Sequence, residues 1–309
     1  MNPLIRAIPA PLVRLFARPY VAGDSLNDAL NAAATLWAKN RLMTTLDLLA
    51  ENITTETDAK RNRDVYLSMV DAVANDPRFT DPASRPTLSL KQSSYTTRPL
   101  EQGGDARGCR EAVFSIAERA KEAGVRLTID MESSHWTDFT FETLRLLHEA
   151  GHTHVGAVVQ TRLLRTEHDL DSLPPDTRVR LVIGIYQERA AVALTDKTLM
   201  KERLLVQAER LLARGHYVEL GTHDETYVRR FLDEVVPRVC APADRYEVQM
   251  LYGVPRHRLQ HELVQRGVQV RVYVPFAIGW SKAIAYLRRR LDEYPQMMFL
   301  VAKNLFSRG

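Results

Sequence analysis

Short runs of alternating apolar and polar residues, rich in β-branched side chains, recur along the chain. Longer stretches with apolar residues at helical spacing separate them. Period-two runs of this length predict strands, and apolar residues at i, i+3, i+4 and i+7 predict amphipathic helices. The predicted strands are LMTTLDLL (42–49), TLSLKQS (87–93), RLTIDME (126–132), HVGAVVQT (154–161), RVRLVIGIY (178–186), HYVELGTH (216–223), YEVQMLYG (246–253) and QVRVYVPF (269–276).

Helices fall between them. Residues 56–76 carry Val65, Met69, Val70 and Val73 on one face, and 108–124 carry Val113, Ile116 and Ala120 before the stop signal Gly124. TDFTFETLRLLHEAGH has candidate caps at Thr137 or Asp138 and stops at Gly151, while KERLLVQAERLLARGH stops at Gly215. DETYVRRFLDEVV (224–236) directly follows a strand. Eight strand–helix units in about 250 residues predict a (β/α)8 barrel. A doubly wound open sheet is the alternative, but no strand leads into GxGxxG or GxxxxGKS. Residues 1–41 read as an N-terminal helical arm and 42–309 as the barrel.

Composition narrows the class. Of 309 residues, 45% are apolar and 26% charged, as in a soluble globular protein. Lys and Arg number 42 against 38 Asp and Glu, a net charge of +4, and no basic patch is interleaved with aromatics, which argues against nucleic acid. Cys109 and Cys240 lack neighbours at metal or disulfide-framework spacing, so a reducing, cytoplasmic setting without a metal is expected. No apolar run spans a bilayer. Residues 1–23 hold three arginines and no acid, which suits a packed helical arm, a targeting segment or a membrane-surface helix.

Barrel chemistry gathers at the C-terminal strand ends, and these ends are polar. They hold Asp47 and Glu51, Lys91, Asp130 and Glu132, Gln160, Arg180 with Gly184 and Tyr186, Thr222 and His223, Gln249, and Tyr273. One such group alone reads as a structural ion pair. Together they predict a large polar ligand across the mouth, because so many ionisable groups are costly to bury unpaired. Near the C-terminus stands YLRRRLDE (286–293). In a helix over 280–293, Tyr286, Arg289, Arg290 and Glu293 share a face, opposite a stripe of Trp280, Ile284, Leu287 and Leu291. Arg288 is off that face and can pair with Asp292. Periodicity alone makes the charged face a solvated one. The opposite reading turns it into the mouth as a carboxylate clamp, with MMFLVAKNLF (297–306) covering the stripe.

In this order, TLDLLAEN, SLKQS, TIDME, RLVIGIY, TDK (195–197), GTHD (221–224), VQMLYG, RVYVPF and YLRRRLDE resemble the flavin-dependent proline dehydrogenases, most closely the monofunctional bacterial type, over about residues 40–305. The resemblance implies a distorted (β/α)8 barrel with its last helix over the mouth. It also implies oxidation of L-proline to Δ1-pyrroline-5-carboxylate, with hydride passing to N5 of a non-covalent FAD. Electrons would then pass to a quinone, at a peripheral contact with the inner face of the membrane.

By the same resemblance, Arg289, Arg290 and Lys91 hold the proline carboxylate, and Tyr273, Tyr286 and Leu251 wall the ring. Asp130 stands between substrate and flavin, and Arg180 near flavin N5. Glu51 pairs with Arg289 as a gate. Met131, Gln160, Arg180, Val182, Ile183, Gly184, Tyr186, Thr195, Lys197, Thr222, His223, Gln249 and Glu293 fall at FAD-binding positions. Thr195, Lys197, Thr222 and His223 offer donors for pyrophosphate and ribose oxygens. The chain departs from the family pattern at Ile183 and Ile185, where K-G-A-Y is usual, and at Ala50 in place of a glycine. A hydroxyproline oxidase and a barrel-derived binding protein without redox chemistry are the other readings. Tyr286, which would crowd a ring hydroxyl, argues for proline.

Overall fold

The computed structural model describes residues 19–50 and 53–279, together with Ile284 and Arg288. All eight predicted strands form: β1 (Met43–Leu48), β2 (Thr87–Leu90), β3 (Leu127–Ile129), β4 (Val155–Gln160), β5 (Arg178–Val182), β6 (Tyr217–Gly221), β7 (Tyr246–Leu251) and β8 (Val270–Phe276). They pair in parallel in sequence order, and β8 closes on β1 with Thr45 beside Tyr273.

The period of two decides which side chains line the barrel. Leu46 and Leu48 of β1, Leu88 and Leu90 of β2 and Val248 and Met250 of β7 point outward and are buried under helices. Their neighbours Asp47, Ser89, Glu247 and Gln249 point inward, where they are also buried. The apolar core is therefore the layer between sheet and helices, and the barrel interior is polar.

That layer is closed by α1 (Leu26–Asn40), α2 (Glu56–Asn75), α3 (Cys109–Glu122), α4 (Thr137–Glu149), α5 (Thr166–Asp169), α6 (Lys197–Ala213), α7 (Glu225–Arg230) and α8 (His257–Gln265). Helix α7 runs on through a π turn at Phe231–Val235 to Arg238. Four of these eight helices have a side-chain cap at the N-terminus: Ser25, Thr55, Asp196 and Asp224 accept from the backbone N–H of Asp28, Asp58, Leu199 and Thr226. Two ends differ from the sequence reading. Helix α6 begins at Lys197 rather than Lys201, because Asp196 caps it. Helix α4 begins with Thr137 already helical behind Trp136, and Asp138 instead pairs with Arg165 at 2.5 Å.

Helix α1 packs on both β1 and β8. Just before it, Ala22 N–H donates to Pro275 O, and just after β8 Ala277 N–H donates to Gly23 O. The entering chain thus covers the β1–β8 seam, where an undistorted barrel would place its last helix. Ile284 and Arg288 are helical, as expected for 280–293. The placement of that helix over the mouth, the tail 297–306 and residues 1–18 lie outside the described residues.

Candidate active site

The inward residues of β1, β2, β3, β5 and β8 meet at the C-terminal end of the barrel. Lys91, one residue past β2, donates to both carboxylate oxygens of Asp47 at 2.7 Å and lies 3.4 Å from Asp130 Oδ2. Asp130, one residue past β3, accepts from Ser89 Oγ at 2.6 Å, Arg180 Nη1 at 2.9 Å and Tyr273 OH at 2.7 Å. Arg180 reaches across the barrel, donating through Nη1 to Ser89 Oγ at 2.9 Å and through Nε to Gln249 Oε1 at 2.7 Å. Its guanidinium lies 5.1 Å from the Tyr273 ring centroid. Lys91, Asp130, Arg180, Gln249 and Tyr273 therefore form one connected cluster.

The charges in it are fixed by their neighbours. Burial would raise the Asp130 carboxyl's pKa, but Lys91, Arg180 and two hydroxyl donors outweigh it and hold the value below the usual range. Burial would likewise strip Lys91 of its proton, yet Asp47 and Asp130 keep the ammonium charged. Burial pushes the neighbouring Asp47 carboxyl up, a rise that Lys91 only partly offsets. The two-pronged 2.7 Å contact of Lys91 with Asp47 is that of an ammonium on a carboxylate, and Asp130, held by Lys91 and Arg180, is a second anion beside it.

Glu132 behaves differently. Its carboxylate accepts from Ser93 N–H at 2.9 Å and Ser93 Oγ at 2.5 Å, but burial pushes its pKa up to about 7.

Beside this cluster the ends of β4, β5 and β6 form a donor-rich shelf. Among the described residues, Gln160 Oε1, Arg162 Nε, Arg180 Nη2 and His223 Nδ1 are buried without a hydrogen-bond partner. Buried groups without partners are costly, and four of them at one rim of the barrel make it a candidate ligand edge. His223 Nε2 accepts from Leu251 N–H at 3.2 Å, which leaves the proton on Nδ1. Burial and then Arg256 lower its pKa to about 4, so His223 is a neutral donor. Gly184 has φ +93°, and a Cβ there would stand 2.3 Å from Gln160 Oε1 and 2.8 Å from Arg162 Cδ. Only glycine permits this close packing. Donors and acceptors of this kind fit the edge of a flavin ring.

The other assigned residues sit as follows. Met131 is buried next to Asp130; Val182, the last residue of β5, and Ile183 and Tyr186 after it are half-buried. The Tyr186 carbonyl accepts from Arg162 Nη1. Thr222 N–H donates to Gln249 O at 3.2 Å. Leu251 is 45% exposed at the rim. Thr195 and Lys197 are exposed at the start of α6 and do not touch the Asp130 cluster. Glu51, Tyr286, Arg289, Arg290 and Glu293 lie outside the described residues.

The sequence reading gave no role to Ser89, Glu219 or Arg162. Ser89 shares the inward phase of Lys91 two residues on, so the period of two could have found it. Arg162 lies in the loop after β4 and carries no periodic signal.

The family model described as proline dehydrogenase matches residues 29–297. The proline dehydrogenase of Deinococcus radiodurans is 34% identical over 298 residues, covering 94% of this chain and 90% of that one. Proline dehydrogenase 1 of Bacillus subtilis strain 168 is 31% identical, covering 96% and 92%. Among solved structures, proline utilization A from Bdellovibrio bacteriovorus inactivated by N-propargylglycine superposes with a TM-score of 0.80 at 21% identity, over 91% of this chain. A variant of Bradyrhizobium japonicum proline utilization A gives 0.71 at 22% identity, over 89%. This chain spans 33% and 30% of those longer chains, and the likeness shows a shared barrel. By the family model and by its full-length relatives, the chain belongs to the proline dehydrogenase family.

Proposed function

We propose that the protein oxidises L-proline to Δ1-pyrroline-5-carboxylate, using FAD and passing electrons to a quinone. The observation that carries this is the buried Lys91–Asp130–Arg180–Tyr273 cluster beside a shelf of unpartnered polar atoms. When bound, FAD supplies the two-electron acceptor. Making the C=N bond removes a hydride from the ring carbon beside nitrogen and a proton from nitrogen, so positive charge develops along that bond. Asp130, held ionised, is the protein's counter-charge for it. Arg180 Nη2 and Gln160 Oε1 would hold the flavin ring, and Gly184 lets the backbone approach. Thr195, Lys197, Thr222 and His223 would hold its phosphates and ribose.

Charge balance also bears on the substrate carboxylate. Lys91 and Arg180 already face Asp47, Asp130 and Glu219, so this cluster offers no surplus positive charge. A proline carboxylate needs further cations, and Arg289 and Arg290 are the residues we assign to that role. Tyr273, with Tyr286 and Leu251, would wall the ring, and Glu51 would gate Arg289.

Among the described residues no helix is long and apolar enough to cross a membrane. A quinone acceptor would therefore be met at the membrane surface.

The test is anaerobic addition of L-proline to purified protein. A flavin spectrum bleached by proline, and less by hydroxyproline, is expected. A flavin-bearing protein that proline leaves unbleached overturns the substrate assignment. Arg289→Ala and Arg290→Ala should each raise KM for proline strongly, and Arg288→Ala little; equal losses from all three would reject the assignment of the pair.

A further inference from the structure

At the N-terminal end of the barrel, opposite the proposed chemistry, lies a cavity of about 300 Å³. Its lining includes Arg85, Thr87, Arg126, Gln269, Arg271 and Met43. Its charges are unequal. Arg271 Nε pairs with Glu247 at 2.6 Å, and Arg178 pairs with Glu219 at 3.1 Å and Glu247 at 3.3 Å. Those two carboxylates are consumed by those two arginines. Arg85 and Arg126 make no ion pair among the described residues. Arg85 gives one hydrogen bond, to Gly124 O at 3.3 Å, and its Nε is buried with no partner. Arg126 is exposed along part of its length, but loss of hydration in the cavity and then Arg178 and Arg271 hold its guanidinium below its ordinary value, and Tyr217 and Glu247 only partly oppose them.

We propose that this cavity is an anion site that takes a phosphate group between Arg85 and Arg126. Two unmatched positive charges suit a dianion. Guanidinium forks arriving from separate loops suit a tetrahedral oxyanion with several acceptor oxygens better than one planar carboxylate. The lining residues come from the starts of β1, β2, β3 and β8, so an anion there would tie the barrel's closing seam to its neighbours. Binding to the folded state alone raises stability by mass action.

The test is a titration of the FAD-loaded protein with inorganic phosphate at constant ionic strength, reading Tm and the heat of binding. A chloride series and an acetate series run alongside. A saturable rise in Tm with phosphate is expected, with affinity at least tenfold weaker in Arg126→Gln and in Arg85→Gln and unchanged in Lys91→Met. The two variants touch separate loops, so a fold defect in one leaves the other to report. A rise no greater than chloride gives overturns the site. So does an unaltered phosphate affinity in both variants, or loss of binding in Lys91→Met alone. Acetate binding as tightly as phosphate overturns the preference for a dianion. Since Lys91 belongs to the opposite end of the barrel, these outcomes stand apart from the flavin and proline assignments.

Discussion

Ser89 shows how one small residue can hold a site. Its hydroxyl accepts from Arg180 and donates to Asp130, while its carbonyl accepts from Tyr66 OH at 2.6 Å. Ser89→Ala leaves both charged partners short of one hydrogen bond in a buried place, a loss of about 1–3 kcal/mol. Because Ser89 acts through Asp130, kcat should fall roughly tenfold with KM for proline little changed. Steady-state kinetics with a quinone analogue checks this; a rise in KM alone would show that Ser89 serves binding instead. Glu132 supports a prediction of the opposite electrostatic kind. Its folded pKa is about 7 against an ordinary 4.5, so between those values the folded state binds the proton more tightly than the unfolded chain. Stability from this group is thus greatest below pH 4.5 and falls as pH rises to about 7, by about 3 kcal/mol. Glu132→Gln keeps an acceptor for Ser93 and cannot ionise. Urea unfolding from pH 5 to pH 8 should show a flatter curve for the variant than for the parent protein.

At the scale of elements, the strands were legible because their period of two is undiluted, and the helix ends were not. Strand β3 is only three residues long, so Asp130 and Glu132, read as strand residues, lie in the loop beyond it. That loop lets Asp130 turn toward Arg180 while Glu132 turns toward Ser93. Helix α8 escaped the sequence reading because Leu259 and Leu263 are its only buried apolar residues. The apolar stripe of α6 marks its start at Lys201, four residues late, because a stripe carries no cap. Asp196 does, and its cap places Lys197 in the first turn. Asp196→Ala should cost about 1 kcal/mol of stability. It should also weaken FAD retention, because the same turn presents Thr195 and Lys197. Thermal unfolding and a flavin dissociation constant test the two effects separately. A loss of stability with unchanged flavin affinity would remove the α6 terminus from the cofactor site.

For the molecule as a whole, the barrel was legible, but the charged ladder filling it was not. Arg178, Glu219, Glu247 and Arg271 alternate with apolar residues, a pattern that equally suits strands with one face in water. Only closure of β8 on β1 turns that face inward and gives each charge a partner. Arg271 Nη1 then reaches Thr44 O at 2.8 Å across the seam, and Tyr217 OH reaches Glu247 at 3.0 Å. Glu247 is the hinge of this network. Its oxygens take Arg271 at 2.6 and 3.1 Å and Gln249 Nε2 at 2.6 Å, and Gln249 in turn holds Arg180. The ladder therefore links the lower end of the barrel to the proposed site at the top. Burial would raise the Glu247 pKa, but Arg271 and Arg178 overcome it and lower the value to about 2 from 4.5. This carboxylate contributes stability that is fully present above pH 4.5 and is lost as pH falls through about 2, roughly 3 kcal/mol in all. Glu247→Gln leaves Arg271 buried without its carboxylate and Arg178 with Glu219 alone, and should cost about 3–5 kcal/mol at pH 7. Denaturant unfolding at pH 7, 4 and 3 separates the two claims. The parent protein should weaken steeply between pH 4 and 3, while the variant starts lower and declines less over the same interval. Equal slopes would mean that the acid sensitivity of the barrel arises elsewhere, with Asp130 the next carboxylate to replace.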